Sequence, residues 1–207
     1  MKKSSKKNVN KGRPGGIKTG WDLSLLYTSP KDIRIEKDMM RMEAAYVSFE
    51  KMFRSQTNYL TDENELRIAL EAYESLAKAT ASMKPLAYFW FIKELDSDNS
   101  GAEARIRLYE ERLTKASNRI QFFDIALGKI ALAQQHRFLA SEMLAPYRYY
   151  LYKLFEAGKH MLSEPEEKLM ALKSGPSNSM WVSGVSNAIA RKVVHFKGKD
   201  IDRKSVV

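Results

Sequence analysis

From residue 30 to residue 190, apolar side chains recur every three or four positions, the period of a helix buried on one face. The first such stretch follows the Ser29-Pro30 turn and predicts a helix from about Ile33 to Arg54. Its core stripe is Ile35, Met39, Met42, Ala45, Phe49 and Met52. Thr61, with Asp62 and Glu63 behind it, reads as an N-cap with acids in the first turn, facing the positive end of the helix dipole. The helix it opens would bury Leu66, Leu70, Tyr73 and Ala77. A third helix is expected to start or kink at Pro85, which has no amide hydrogen to donate inside a helix. It carries Tyr88-Phe89-Trp90-Phe91-Ile92, apolar on every side, and so predicts neighbours all round.

Asp96-Ser97-Asp98-Asn99-Ser100-Gly101 is the clearest break, built of residues that bond their own backbone in turns. Beyond it Ile106, Tyr109, Leu113, Ala116, Ile120, Phe123, Leu127 and Ile130 keep alternating spacings of three and four, a seam for packing along a partner helix. Three comparable helices precede it, so an antiparallel bundle within one chain is the expected architecture. Ala145-Pro146 then bends the chain into Tyr147-Arg148-Tyr149-Tyr150-Leu151-Tyr152. Ser163 and Glu166 form a capping box with Pro165 in the first turn. Gly175-Pro176 is the expected stop near Ser174. A last helix should run from about Ser179 to Ala190 and contains Trp181. Lys192 to Lys197 has strand character, and Lys197-Gly198-Lys199 reads as the turn of a hairpin whose second arm begins near Asp200.

The fold class expected is therefore mainly α, an antiparallel helical bundle or set of hairpins, with a C-terminal β-strand that starts a truncated hairpin, its second arm cut off after a residue or two. The chain divides into an arm (1–20), a helical domain (21–190), the start of a following segment (191–201) and a tail (202–207). Asp202-Arg203-Lys204-Ser205-Val206-Val207 matches the in-frame translation of GATCGGAAGAGCGTCGTG, which resembles a sequencing adapter; a non-native tail is expected there. An unpaired apolar strand invites aggregation, so the fold is expected to continue past the end, making the chain the front piece of a longer protein.

The net charge of +10 changes the picture less than its size suggests, because residues 1–20 carry +7 and residues 191–207 carry +4, leaving −1 on the body. A nucleic-acid reader places its basic residues on a folded face; here they sit in tails, so nucleic-acid binding is not expected and the arm reads as disordered and solvated. There is no cysteine, hence no disulfide framework, which suits a cytoplasmic location. The longest apolar run, Leu86 to Ile92, is seven residues, far below the roughly 20 needed to span a bilayer, and no membrane partner is expected.

No constellation for catalysis emerges. His136, His160 and His195 lie 24 and 35 residues apart, and no H-E-x-x-H is present. There is no G-x-S-x-G elbow, and Gly12, Gly15 and Gly16 fit no phosphate loop. Glu166-Glu167 reads as a pair of solvated helix-start acids. Asp96, Asp98 and Ser100 imitate the opening of a calcium loop, but the twelfth position is Arg107 rather than a bidentate acid. Catalytic, cofactor-binding and metal residues are each expected to be absent from this chain.

Two segments carry a family likeness. Trp21-Asp22-Leu23-Ser24-Leu25-Leu26-Tyr27, followed by Asp32, Arg34 and Ile35, resembles the opening of oligoendopeptidase F and related zinc metallopeptidases, which usually have an acid where Leu25 stands. Leu144-Ala145-Pro146-Tyr147-Arg148 through Leu151 is similar to a later part of the same N-terminal region. So are His160-Met161-Leu162-Ser163-Glu164, Glu167, Ala171-Leu172-Lys173-Ser174 and Trp181, with Ser117-Asn118-Arg119 and Phe122-Phe123 between the two segments. The resemblance implies a helical metalloendopeptidase, a protease hydrolysing oligopeptides in a deep channel. Its zinc would be held by two histidines of H-E-x-x-H and a downstream glutamate. The N-terminal hairpins would form a wall over that channel. The zinc site would lie C-terminal to this chain, in a missing catalytic domain that is its main partner, so the chain alone is expected to be inactive. His160 matches a recurring family histidine outside the zinc site. The alternative reading is a stand-alone helical interaction module.

Overall fold

Asp32 begins the first helix by accepting the amide hydrogen of Arg34, and the chain then climbs through 21 helical residues as α1 (Ile33–Phe53). The computed structural model describes residues 21–96, 98–190 and 192–201. The expected arm and adapter-like tail lie outside the described residues. Helices α2 (Glu63–Thr80), α3 (Lys84–Leu95), α4 (Ser100–Ser117), α5 (Gln121–Gly128), α6 (Leu132–Ala140) and α7 (Arg148–Gly158) come next. After them stand α8 (Glu164–Ser174), α9 (Met180–Ala190) and a hairpin of β1 (Val194–Phe196) and β2 (Lys199–Ile201). The mainly α architecture is as expected; the hairpin, expected to be cut short and to leave its first strand unpaired, instead pairs all three residues of β1 with β2. The strands pair antiparallel in the register Val194 to Ile201, and Lys197 and Gly198 both take positive φ, as a two-residue hairpin turn with the sheet's own twist requires.

Helix α1 is long enough to serve two cores. Its first half, with Ile35 and Met39, packs against Leu86, Tyr88 and Phe89 of α3 and Ala102, Ile106 and Tyr109 of α4. Its second half, with Phe49 and Phe53, joins α2, α5, α6 and α7 through Leu66, Leu70, Phe123, Leu127, Phe138 and Leu151. The second core is aromatic: Phe49 meets Phe123 edge-on at 5.2 Å, and Phe123 stacks on Tyr73 at 5.3 Å. Such pairs add about 0.5–1.5 kcal/mol each beyond area burial. Arg112 of α4 locks the first core from outside, gripping Glu43 of α1 with Nε and Nη2, both at 2.8 Å, and reaching Glu36 with Nη1. Two parallel bonds to one carboxylate fix direction as well as distance.

Several local expectations shift. The stripe of α1 ends on Phe53, four residues after Phe49, and leaves Met52 exposed. Asp62, not Thr61, caps α2, because its carboxylate reaches the amide of Glu65; Thr61 closes a 3-10 turn instead. Leu76 rather than Ala77 faces the core. Trp90 and Phe91 are exposed, with only Trp21 set edge-on to Phe91, so α3 has neighbours on one side where neighbours all round were expected. The long seam keeps its burial through Ile120, Phe123 and Leu127, yet the helix breaks at 118–120 into α4 and α5. Gly175-Pro176 does not stop the chain. A π-helical turn from Gly175 to Ser179 carries α8 into α9.

Candidate functional site

Among the described residues, the α8–α9 arm gathers many of the large exposed apolar side chains. Proline at 176 cannot donate to the carbonyl four residues back, so a wider turn forms, in which the Met180 amide hydrogen reaches the Gly175 carbonyl. The Ser177 hydroxyl donates to the carbonyl of Lys173 at 2.6 Å. The run from Glu164 to Ala190 therefore continues past the point where a break was expected. Helix α9 has no charged residue, and from Met180 to Ile189 every residue is exposed except the half-buried Asn187. Trp181, Val185 and Ile189 fall one turn apart, and Trp181 is 72% exposed. Val193 and Val194 extend the apolar surface into the hairpin.

An ionic hub holds the start of this arm. Arg54, at the end of α1, lies over the ring of Phe122 at 4.5 Å. It donates to Glu50 at 2.9 Å, to Glu164 at 3.0 Å and to the Arg119 carbonyl at 3.1 Å. Glu50 also takes Arg119, and Glu164 takes Lys168. Burial of Glu164 works against its charge, but the bonds from Lys168 and Arg54 outweigh it and hold its carboxyl below the usual range. Lys129 adds a bond to the Leu162 carbonyl, and the amide and hydroxyl of Ser163 donate to Glu166 in the expected capping arrangement. These bonds tie the start of the arm to α1 and to the end of α5.

Beside the arm, α5 carries a buried acid, Asp124. Tyr150 donates to one oxygen at 2.8 Å and Tyr73 to the other at 3.1 Å, tying α7 and α2 to α5. Burial raises the pKa of Asp124, and the two phenol bonds oppose that rise. The same burial pushes both tyrosines above their ordinary range.

The histidines are not brought together. His136 is on the exposed side of α6, His160 is exposed in the α7–α8 turn, and His195 on β1 meets Asp200 across the hairpin at 2.9 Å. Among the described residues no group of three or more His, Asp or Glu could hold a metal ion, so these described residues do not fit a zinc centre. In the calcium-like stretch, Asn99 caps α4 by accepting the Ala102 amide, and Asp96 takes the amide of Asp98; both bonds serve the turn. No helix among the described residues is long and apolar enough to cross a membrane.

Residues 127–183, from the end of α5 into the first turn of α9, match the family model described as Oligopeptidase F. Over that stretch the chain is similar to an N-terminal region of oligopeptidase F type. No curated protein matches it at a significant level. A solved structure of a candidate peptidase from Chlamydophila abortus is similar, with a TM-score of 0.47 and 18% identity, over 89% of this chain and 31% of that one. The chain thus spans about a third of the length of that structure.

The N-terminal residues that carry the resemblance in the sequence do structural work. Asp22 caps the short turn at Leu23–Leu25. Tyr27 is buried, donates to Asp38 at 2.8 Å and carries the Lys84 ammonium over its ring at 4.8 Å. Asp32 is held far below the usual carboxylate range by Arg34, its backbone amide and Thr28. The pair of Arg54 with Glu50, four positions away, has ordinary helix spacing, but the hub was not legible because Glu164 lies 110 positions away.

Proposed function

We propose that this chain is the channel-wall portion of a zinc metalloendopeptidase of oligoendopeptidase type that hydrolyses short peptides. Helices α1 to α7 would form the wall that restricts entry to oligopeptides. The α8–α9 arm and the hairpin would be the seam on which the catalytic part packs. The zinc implied by the family would be held by residues outside this chain, and no hydrolytic step is assigned to any residue within it. The observation that carries the reading is the family match over 127–183, running directly into an uncharged helix whose apolar side chains are exposed. An uncharged helix that exposes this many large apolar side chains fits a surface covered by another part of a larger structure.

The test has two arms. The purified 207 residues, assayed on quenched fluorogenic peptides with added zinc, should show no turnover. A longer polypeptide, extended through the DNA beyond codon 201, should cleave them and lose activity to chelators. Zinc-dependent turnover by the 207 residues alone would overturn the assignment. So would a downstream frame without H-E-x-x-H, and the interaction-module reading would then stand.

A further inference from the structure

We propose that the groove between α6 and α7 binds the free carboxylate end of a short peptide whose last side chain is apolar. The groove, about 520 Å³ in volume, is lined by Leu139, Ala145, Arg148, Tyr149 and Tyr152. Leu139 comes from the last turn of α6 and Ala145 from the 3-10 turn after it. Arg148 and Tyr152 are one turn apart on α7, with Tyr149 beside them.

The polar groups of this groove are unspent donors. Arg148 uses only Nη2, which lies 3.4 Å from the Ser141 carbonyl and 3.4 Å from Glu142 Oε1. Both contacts are long beside the roughly 2.7–2.9 Å of a charge-assisted bond, and Glu142 is itself 92% exposed. Nε and Nη1 have no acceptor among the described residues, and neither hydroxyl of Tyr149 and Tyr152 has a partner there. Their neighbours behave differently: Tyr73, Tyr147 and Tyr150 each place the hydroxyl on a carboxylate. Tyr149 and Tyr152 are exposed, and no acid lines the groove.

That inventory selects a ligand. A planar guanidinium with free donors matches a carboxylate, and the apolar lining beside it favours an organic acid over inorganic phosphate, which has no apolar part to cover. The side chains of Leu139 and Ala145 and the faces of two tyrosines would cover an apolar group next to that charge. Tyrosine and arginine are also the residues that most often carry binding energy at interfaces. The inference deepens the peptidase reading, on which it rests for choosing a peptide over another apolar acid, by naming the end of the peptide that the wall holds.

The experiment is a titration of the intact 207-residue protein, monitored by NMR of the tyrosine rings, with N-acetyl-Ala-Ala-Phe as the free acid, the same peptide as its amide, and inorganic phosphate. The free acid should bind, the amide about tenfold more weakly, as expected for loss of one charge-assisted bond, and phosphate weakest. Arg148→Met should bring the free acid down to the level of the amide, and Arg148→Lys should recover part of the difference. Tyr149→Ala should weaken both peptides. Circular dichroism should show each surface variant folded. Equal binding of acid and amide, no binding, phosphate binding as tight as the peptide, or an unchanged Arg148→Met would each overturn the proposal. Peptide cleavage is not the readout. An extended polypeptide that fails to cleave, while this chain prefers the free acid, would remove the peptidase reading and leave the groove standing.

Discussion

The backbones of Gly128 and Gly158 lie in direct contact where α5 meets α7. A β-carbon built on Gly158 would sit 2.0 Å from the carbonyl oxygen of Gly128 and 2.6 Å from its carbonyl carbon. Glycine near a helix end is normally a cost that alanine relieves. Here the sign reverses, because the obstacle is main chain and cannot rotate away. Gly158→Ala should destabilise the protein by about 1–3 kcal/mol or more, seen as a lower urea midpoint. Gly128→Ala meets Met161 and the Gly158 backbone at 3.2 Å and should cost less. Equal effects, or a stabilised Gly158→Ala, would show that the helices can separate without penalty.

How far the fold could be read in advance depends on where its information lies. Stripes such as Ile35-Met39-Met42 and Ile106-Tyr109 announced α1 and α4, because one face of each is buried along its length. The break after Ser117 left no trace in the pattern, since Ile120, Phe123 and Leu127 keep the same phase after it. Helix α6 is silent in the pattern because its nine residues bury only Phe138 fully. The Gly175-Pro176 pair reads as a stop, and only the π-turn geometry reveals that the chain carries on. Of the candidate site, the uncharged composition of α9 was legible. The bonds of Arg54 to Glu164 and of Tyr73 and Tyr150 to Asp124 join distant segments and required the fold.

Arg54 should control the order of the arm. With Arg54→Met, the links from α1 to Glu164 and to the Arg119 carbonyl vanish together, while Glu164 keeps Lys168. Amide exchange in α8 should rise several-fold, with about 1 kcal/mol or less lost globally, because the pairs are partly exposed. Arg54→Lys should recover little, since an ammonium cannot serve three acceptors in a plane over Phe122. Raising salt to about 0.5 M should reproduce part of the effect in the wild type by screening. Unchanged exchange in α8 would mean that the apolar contacts with α4 and α5 hold the arm unaided.

Asp124 predicts a pH dependence of opposite sign to that of the paired acids. Glu43 and Glu103 have lowered pKa values in the folded state, so their stabilisation is present above about 4.5 and is lost as pH falls. The pKa of Asp124 is raised from 3.8, so the folded state holds its proton longer than the unfolded chain. Its contribution is therefore greatest at low pH and falls as pH rises from about 3.8 through the folded value. In urea titrations from pH 4 to 7, the stability of wild type minus Asp124→Asn should decline with pH. Tyr73 and Tyr150, raised above 10, should bring a second loss as pH climbs past 10. A difference between wild type and variant that is flat or increasing across pH 4 to 7 would contradict the burial of this carboxyl.

The face of α9 offers a sharper comparison, because one substitution should read differently in two contexts. In the 207-residue chain Trp181 and Ile189 are exposed, so Trp181→Ser and Ile189→Ser should change stability by no more than about 0.5 kcal/mol. Both should also reduce binding of a hydrophobic dye, since they belong to an exposed apolar set that includes Met180, Val182, Val185, Val193 and Val194. In a longer polypeptide whose C-terminal part covers that face, the same residues become core. Truncating a buried tryptophan there should cost about 3–5 kcal/mol, seen as a lower melting temperature or loss of soluble product. The contrast isolates the seam from general effects on helix propensity, which would be equal in both contexts. If Trp181→Ser is as mild in the longer protein as in this one, the C-terminal part leaves α9 uncovered, and the partner of this helix must be sought in another chain.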